Sequence, residues 1–130
     1  MRVEKKQGNI VMVADDDLFV RKILRSALQN LVTIVETGDG ADVEKLYKDN
    51  VPDVLFLDIH LPNKTGLELI ESIKEIDPDA YIIMVSADSS TDNVKISSKH
   101  GVKGFMTKPF NRDRVLKHVM NCPTVEFMDV

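Results

Sequence analysis

The stretch "VLFLDIHLP", Val54 to Pro62, decides how the rest of the chain is read. Four apolar residues run unbroken into an aspartate. A strand with one wet face alternates apolar and polar side chains; an unbroken apolar run is the pattern of a strand covered on both faces. "NIVMVA" (9–14) and "AYIIMVS" (80–86) share that pattern, and "VTIVET" (32–37) and "GFMT" (104–107) are shorter β-type segments. Helical spacings fill the intervals. Val20, Ile23, Leu24, Ala27, Leu28 and Leu31 step by three and four, and Val43, Leu46 and Tyr47 share a side of "GADVEKLYKDN". Leu67, Ile70, Ile73 and Lys74 step around "TGLELIESIKEID", which Pro78 stops. "STDNVKISSKHG" is a weaker helix ended by Gly101, and "NRDRVLKHVMNC" a last one stopped by Pro123. Five strand–helix units with buried strands predict a three-layer α/β sandwich around one parallel sheet.

Bulk composition narrows the function classes. A chain of 130 residues suits one domain, and 43% hydrophobic with 29% charged residues suits an ordinary globular core. The formal net charge of -4 lacks the basic footprint of a general nucleic-acid or anionic-membrane binder, and 5% aromatics with no Trp argues against base stacking. The lone Cys122 cannot form an internal disulfide, which suits a reducing compartment, and reads as a small apolar residue near a helix end. "MRVEKKQG" has no apolar segment behind it long enough for a signal peptide or a span, so the expected location is cytoplasmic. The expected organisation is a flexible extension over 1–8, one domain over 9–122 and a loose tail over 123–130.

In open parallel sheets, ligands bind beyond the carboxyl ends of the strands. At those ends stand Asp15, Asp16 and Asp17; Thr37, Gly38 and Asp39; Asp58; Ser86, Ala87 and Asp88; and Lys108 followed by Pro109. Carboxylates held together repel, by about 4 kcal/mol per pair at ~4 Å and an effective dielectric of ~20. A lysine, a shifted pKa or a metal ion must offset this. Oxygen ligands select a hard cation, and a few carboxylates with water suit Mg²⁺ better than Ca²⁺. His60, His100 and His118 lack zinc-ligand spacing. Carboxylates, a hydroxyl and a lysine around a hard cation are parts of a phosphoryl-transfer site. No glycine-rich phosphate loop is present to bind a nucleotide donor.

These residues resemble the receiver domains of two-component response regulators. The resemblance rests on "VADDD", "LFLDIHLPNKTGLEL", "MVSAD" and "GFMTKPF", in order and at the family's spacing, from about Ile10 to Met120. It implies a flavodoxin-like, doubly wound sheet of strand order 2-1-3-4-5. It implies Asp58 as phospho-acceptor, and Asp15, Asp16, Asp58 and the backbone carbonyl of His60 as the Mg²⁺ ligands. Ser86 and Lys108 would contact the phosphoryl group, and Ser86 with Phe105 would form the switch. Lys108–Pro109 would be a cis peptide, and Pro62 and Gly66 would turn the chain after Asp58. Phe105 stands where many members carry Tyr, and lacks its hydroxyl. Asp17 makes a third acid where the family needs two, and is a good helix start. His60 and Asp88 occupy positions that tune phosphoryl lifetime in the family.

The resemblance further implies a stand-alone, chemotaxis-regulator-like switch, a monomer or weak dimer that catalyses its own phosphorylation and dephosphorylation. A sensor histidine kinase or histidine phosphotransfer protein would be the donor. A downstream protein would bind the face built from the fourth helix, fifth strand and fifth helix, where Lys95, Lys99, Lys103, Arg112, Arg114 and Lys117 cluster. Neither direct nucleic-acid nor membrane binding is expected. Two alternatives stay open. Asp15-x-Asp17 after the first strand is the start of an aspartate-nucleophile phosphatase of haloacid dehalogenase type, although Phe19 stands where that pattern has Thr or Val. A pseudo-receiver would bind partners without phosphorylation.

Overall fold

The computed structural model describes residues 9–87 and 98–126. Five strands form one parallel sheet: β1 (Ile10–Ala14), β2 (Thr33–Thr37), β3 (Val54–Asp58), β4 (Ile82–Ser86) and β5 (Gly104–Thr107), in the order β2-β1-β3-β4-β5. Among the described residues, the helices α1 (Leu18–Leu28), α2 (Val43–Asn50), α3 (Gly66–Ile76) and α4 (Arg112–Met120) cover it. A 3₁₀ turn over Gly40–Asp42 leads into α2. The weaker helix expected from Ser90, and with it Asp88 and Lys95, falls mainly outside the described residues, so α4 is the fifth helix of the sequence reading.

Strand alternation sorts the core into two layers. Val11, Val13, Val54, Phe56, Ile83, Val85 and Met106 pack with α1 and α4. Met12, Ala14, Leu55, Leu57, Ile82 and Met84 face the other way, onto α2 and α3. The three central strands β1, β3 and β4 are buried at every position. β2 and β5 are not, being only partly covered. They are the edges of the sheet, where side chains lose neighbours on one flank, so burial on both faces holds only for the central three.

Helix ends follow local chemistry. Asp17 caps α1 by accepting from Phe19 N, the modest role its sequence position suggested. Thr65 caps α3, its Oγ1 accepting from Glu68 N at 3.3 Å and donating to Glu68 Oε1 at 3.2 Å. α1 stops at Leu28, and Asn30 at φ 68° turns the chain out, which leaves Leu31 exposed rather than on the helix's inner face. The buried side of α3 is Gly66, Leu69, Ile70 and Ile73, with Lys74 reaching along the helix end to donate to the Ala80 carbonyl at 3.0 Å.

Two buried acids brace the amino-terminal edge of the sheet. Asp53 accepts from Ile10 N at 2.8 Å and from Thr124 Oγ1 at 2.6 Å. Asp77 accepts from Tyr47 Oη at 2.8 Å, joining α2 to the end of α3. Glu126 N donates to Asn9 Oδ1, so Thr124 and Glu126 are tied to the domain. Cys122 is buried beside Asp53, consistent with an apolar filler. No helix among the described residues is long and apolar enough to cross a membrane.

Tyr47→Phe removes one donor from buried Asp77 while keeping the ring. The expected loss is about 1.5–3 kcal/mol, the worth of a hydrogen bond to a charged group, measured as a lowered urea midpoint with an unchanged slope.

Candidate functional site

The site is built by strand register. Ala14 pairs with both Leu57 and Thr37, Asp58 with Val85, and Ser86 with Thr107. One step past these pairs, Asp15 stands beside Asp58, and Lys108 stands beyond Ser86. Continuing the alternation, Asp15, Asp58 and Lys108 fall on the face of Val13, Phe56 and Met106. Ser86 follows Met84 onto the other face, where half-buried Phe105 packs.

Asp15, Asp16 and Asp58 each offer a carboxylate oxygen, all within 4.8 Å of one another. Asp15 and Asp58 are buried, at 2% and 4% exposure, and Asp16 is open to solvent. Among the described residues, Lys108 is the cation paired with this cluster: its Nζ lies 2.8 Å from Asp15 Oδ2 and 3.4 Å from Asp58 Oδ2. Burial works against the Lys108 ammonium, but Asp15 and Asp58 outweigh it and raise its pKa above the ordinary value. Burial and the charge of Asp15 push the Asp58 carboxyl up, and the His60 N–H and Lys108 only partly oppose them.

The buried acids at the two ends of the sheet differ in kind. Asp53 and Asp77 at the amino-terminal edge have both carboxylate oxygens matched to donors. At the carboxyl-terminal edge, Asp15 Oδ1 accepts from Asp17 N at 2.9 Å, but its Oδ2 has only the off-axis ion pair with Lys108 and no aligned donor. Three carboxylates against one ammonium leave the cluster negative. A hard divalent cation fits this donor set: it takes carboxylate oxygen, neutralises the excess and gives Asp15 Oδ2 a partner.

Of the residues the sequence places at this edge, Asp15, Asp16, Asp58 and Lys108 come together. Ser86 is buried at the end of β4, its carbonyl accepting from Lys108 N at 2.8 Å. His60 is exposed at the rim, its N–H donating to Asp58 Oδ1 at 3.1 Å. Lys108–Pro109 is cis. Asp39 does not join the cluster: it caps the 3₁₀ turn and accepts from Asn63 Nδ2.

Two of the supports, Arg21 and Asn63, were not legible in the sequence. Arg21 Nη1 donates to the Asp15 carbonyl at 2.5 Å, and its Nε lies 3.3 Å from Glu36 Oε1. Gly66 presses on the site from below, since a Cβ there would lie 2.4 Å from the Asp58 carbonyl oxygen. Nothing local marks Arg21 or Asn63, because their partners are distant in the chain.

Known proteins share this arrangement of elements. The response regulator receiver domain family model matches residues 11–120. The chemotaxis protein CheY of Halobacterium salinarum is 33% identical over 115 residues, which cover 88% of this chain and 96% of that protein. CheY of Bacillus subtilis is 33% identical over 111 residues, covering 84% and 92%. Vibrio cholerae CheY4 shares the fold at a TM-score of 0.81 and 22% identity, over 88% of this chain and 98% of that one. The Borrelia burgdorferi CheX–CheY–BeF3–Mg complex matches at a TM-score of 0.80 and 31% identity, over 86% and 87%. With a parallel sheet of order 2-1-3-4-5 and a family match over most of its length, the chain belongs to the response regulator receiver domains of two-component signalling.

Proposed function

We propose that this receiver is a phosphorylation-controlled switch whose acceptor is Asp58. The observation that carries the reading is the shared lysine: Lys108 lies between buried Asp15 and Asp58, with Asp16 alongside, at the ligand-binding edge of the sheet. An Asp58 carboxylate oxygen attacks phosphorus of a phosphohistidine on a sensor kinase or phosphotransfer protein. A P–O bond forms, the P–N bond breaks, and the imidazole leaves with a proton. Lys108 faces the charge on the phosphoryl oxygens, and the β3 strand fixes the nucleophile so that little orientational freedom is lost at the moment of attack. Asp15, Asp16, Asp58 and the His60 carbonyl would hold Mg²⁺, which when bound supplies positive charge beside the transferring oxygens. Water attack on the same phosphorus later cleaves the acyl phosphate, returning the carboxylate and inorganic phosphate.

Phosphorylation draws the Ser86 hydroxyl toward the phosphoryl group and lets Phe105 turn inward, a population shift between two packings of β4 and β5. The output surface comprises β5, α4 and the segment before β5, where Lys99, Lys103, Arg112, Arg114 and Lys117 are exposed. Their charge suits an acidic protein partner in the cytoplasm. The phosphatase alternative is disfavoured because the Asp17 carboxylate is turned to Phe19 N as a cap.

Incubation with Mg²⁺ and acetyl phosphate is expected to yield an acid-stable, base-labile adduct on Asp58, absent from Asp58→Ala. An adduct that survives Asp58→Ala, or none in the parent chain, overturns the reading.

A second expectation follows from the raised Asp58 pKa. The folded state holds this proton to higher pH than the unfolded chain does, so stability falls as pH rises from the ordinary carboxyl value of 3.8 through the folded one. Asp58→Asn removes that cost. Without divalent cation, its melting temperature should exceed the parent's at pH 7–8, the gain shrinking as pH falls toward 3.8; equal melting temperatures at pH 7.5 would count against a strained acid.

A further inference from the structure

The loop after Asp58 is tied to the β2–α2 loop by contacts that neither segment could form alone. Asn63, held at φ 69°, points Nδ2 at the Asp39 carboxylate, 2.8 Å from Oδ1 and 2.9 Å from Oδ2. Gly40 N donates to the Pro62 carbonyl at 3.0 Å. A Cβ on Gly40 would lie 2.3 Å from the Lys64 carbonyl oxygen and 2.9 Å from that of Pro62, so the two loops meet backbone to backbone. Lys64 pairs with Glu44 of α2. Asp39 in turn is fixed as the cap of the 3₁₀ turn, accepting from Ala41 N at 2.9 Å.

The far end of the same loop carries the chemistry. His60 N–H donates to Asp58 Oδ1, and Gly66 N–H donates to the Ile59 carbonyl at 2.8 Å. Between these bonds Leu61 is buried in the core and Lys64 N donates to the Pro62 carbonyl at 2.8 Å, while the side chains of Asn63 and Lys64 tie the loop to Asp39 and to Glu44 of α2. We propose that the Asn63–Asp39 pair is a positioning clamp that sets the geometry of residues 59–64, and through it the orientation of the Asp58 carboxylate and the His60 carbonyl. The consequence for cation affinity rests on the reading of this edge as a Mg²⁺-dependent receiver site. The clamp itself does not.

A charge swap tests it. Asp, like Asn, tolerates a positive φ, so Asn63→Asp keeps the backbone but sets a carboxylate against Asp39. Asp39→Asn combined with Asn63→Asp restores an amide–carboxylate pair, keeps a cap for Ala41 N and leaves the net charge of the parent. The first measurement is amide hydrogen exchange without metal. Asn63→Asp should speed exchange at His60 and Gly66 by about tenfold or more relative to the strands, and the swap should restore it. The second is Mg²⁺ titration. An added acid near the site should tighten Mg²⁺ binding if charge alone matters. Loss of positioning should weaken it, on the order of the 10–100-fold seen when groups behind metal ligands are removed. Tighter binding, unchanged exchange, or a swap that fails to restore exchange overturns the clamp. If Asn63→Asp does not fold, Asp39→Asn alone must speed exchange at the same two amides, and unchanged rates there overturn it equally. A parent chain that does not bind Mg²⁺ sinks the receiver-site reading, while the metal-free exchange arm still decides the clamp.

Discussion

Three carboxylates converge at one end of the sheet with a single ammonium among them. At such spacing each like pair costs about 4 kcal/mol at an effective dielectric of ~20, and no rearrangement of the backbone relieves it. Asp15 and Asp58 are fixed by register on β1 and β3, and both are too buried for water to screen them. Lys108 offsets part of the repulsion. Burial, with the charge of Asp15 added to it, raises the Asp58 pKa, and one buried Asp15 oxygen has no aligned donor. A fold that keeps such a cluster keeps a place for something positive, and for a group whose transfer needs positive charge.

The rest of the domain makes that cluster rigid. Each central strand is anchored by side chains on both faces, so the residue that follows it has little freedom. Alternation separates two jobs. Asp15, Asp58 and Lys108 continue one face, and Ser86 and Phe105 the other. On the proposed reading, the acceptor and the switch pair thus continue opposite faces of the sheet, joined by central strands too well packed to deform continuously. On that reading, two discrete packings are the expected response to a new charge on Asp58.

The contrast between the two sheet edges separates acids that brace the fold from acids held under mutual repulsion. Asp53 and Asp77 are as buried as Asp15, yet their oxygens are matched by donors, and they join segments distant in sequence. Burial alone therefore does not set the cluster apart; an Asp15 oxygen without an aligned donor, held among like charges, does. Asp17 and Asp39, which also stand at strand ends, cap a helix and a 3₁₀ turn.

Much of this was legible in the chain. Unbroken apolar runs in Ile10–Ala14, Val54–Leu57 and Ile82–Val85 determine buried strands, because a parallel sheet between helices leaves no polar face. The rule that ligands bind beyond strand ends then picks out Asp15, Asp58, Ser86 and Lys108, since each follows or ends a strand. What only the tertiary structure decided depends on partners far apart in sequence. That β2 and β5 are edges, and so only partly covered, comes from the strand order. That Asp39 turns to Asn63, that Arg21 holds the Asp15 carbonyl, and that Gly66 must lack a side chain under Asp58 all come from loops brought together by the sheet. Local sequence records what a residue prefers. It does not record which distant backbone will press against it, and that contact is what turns a row of acids into one site.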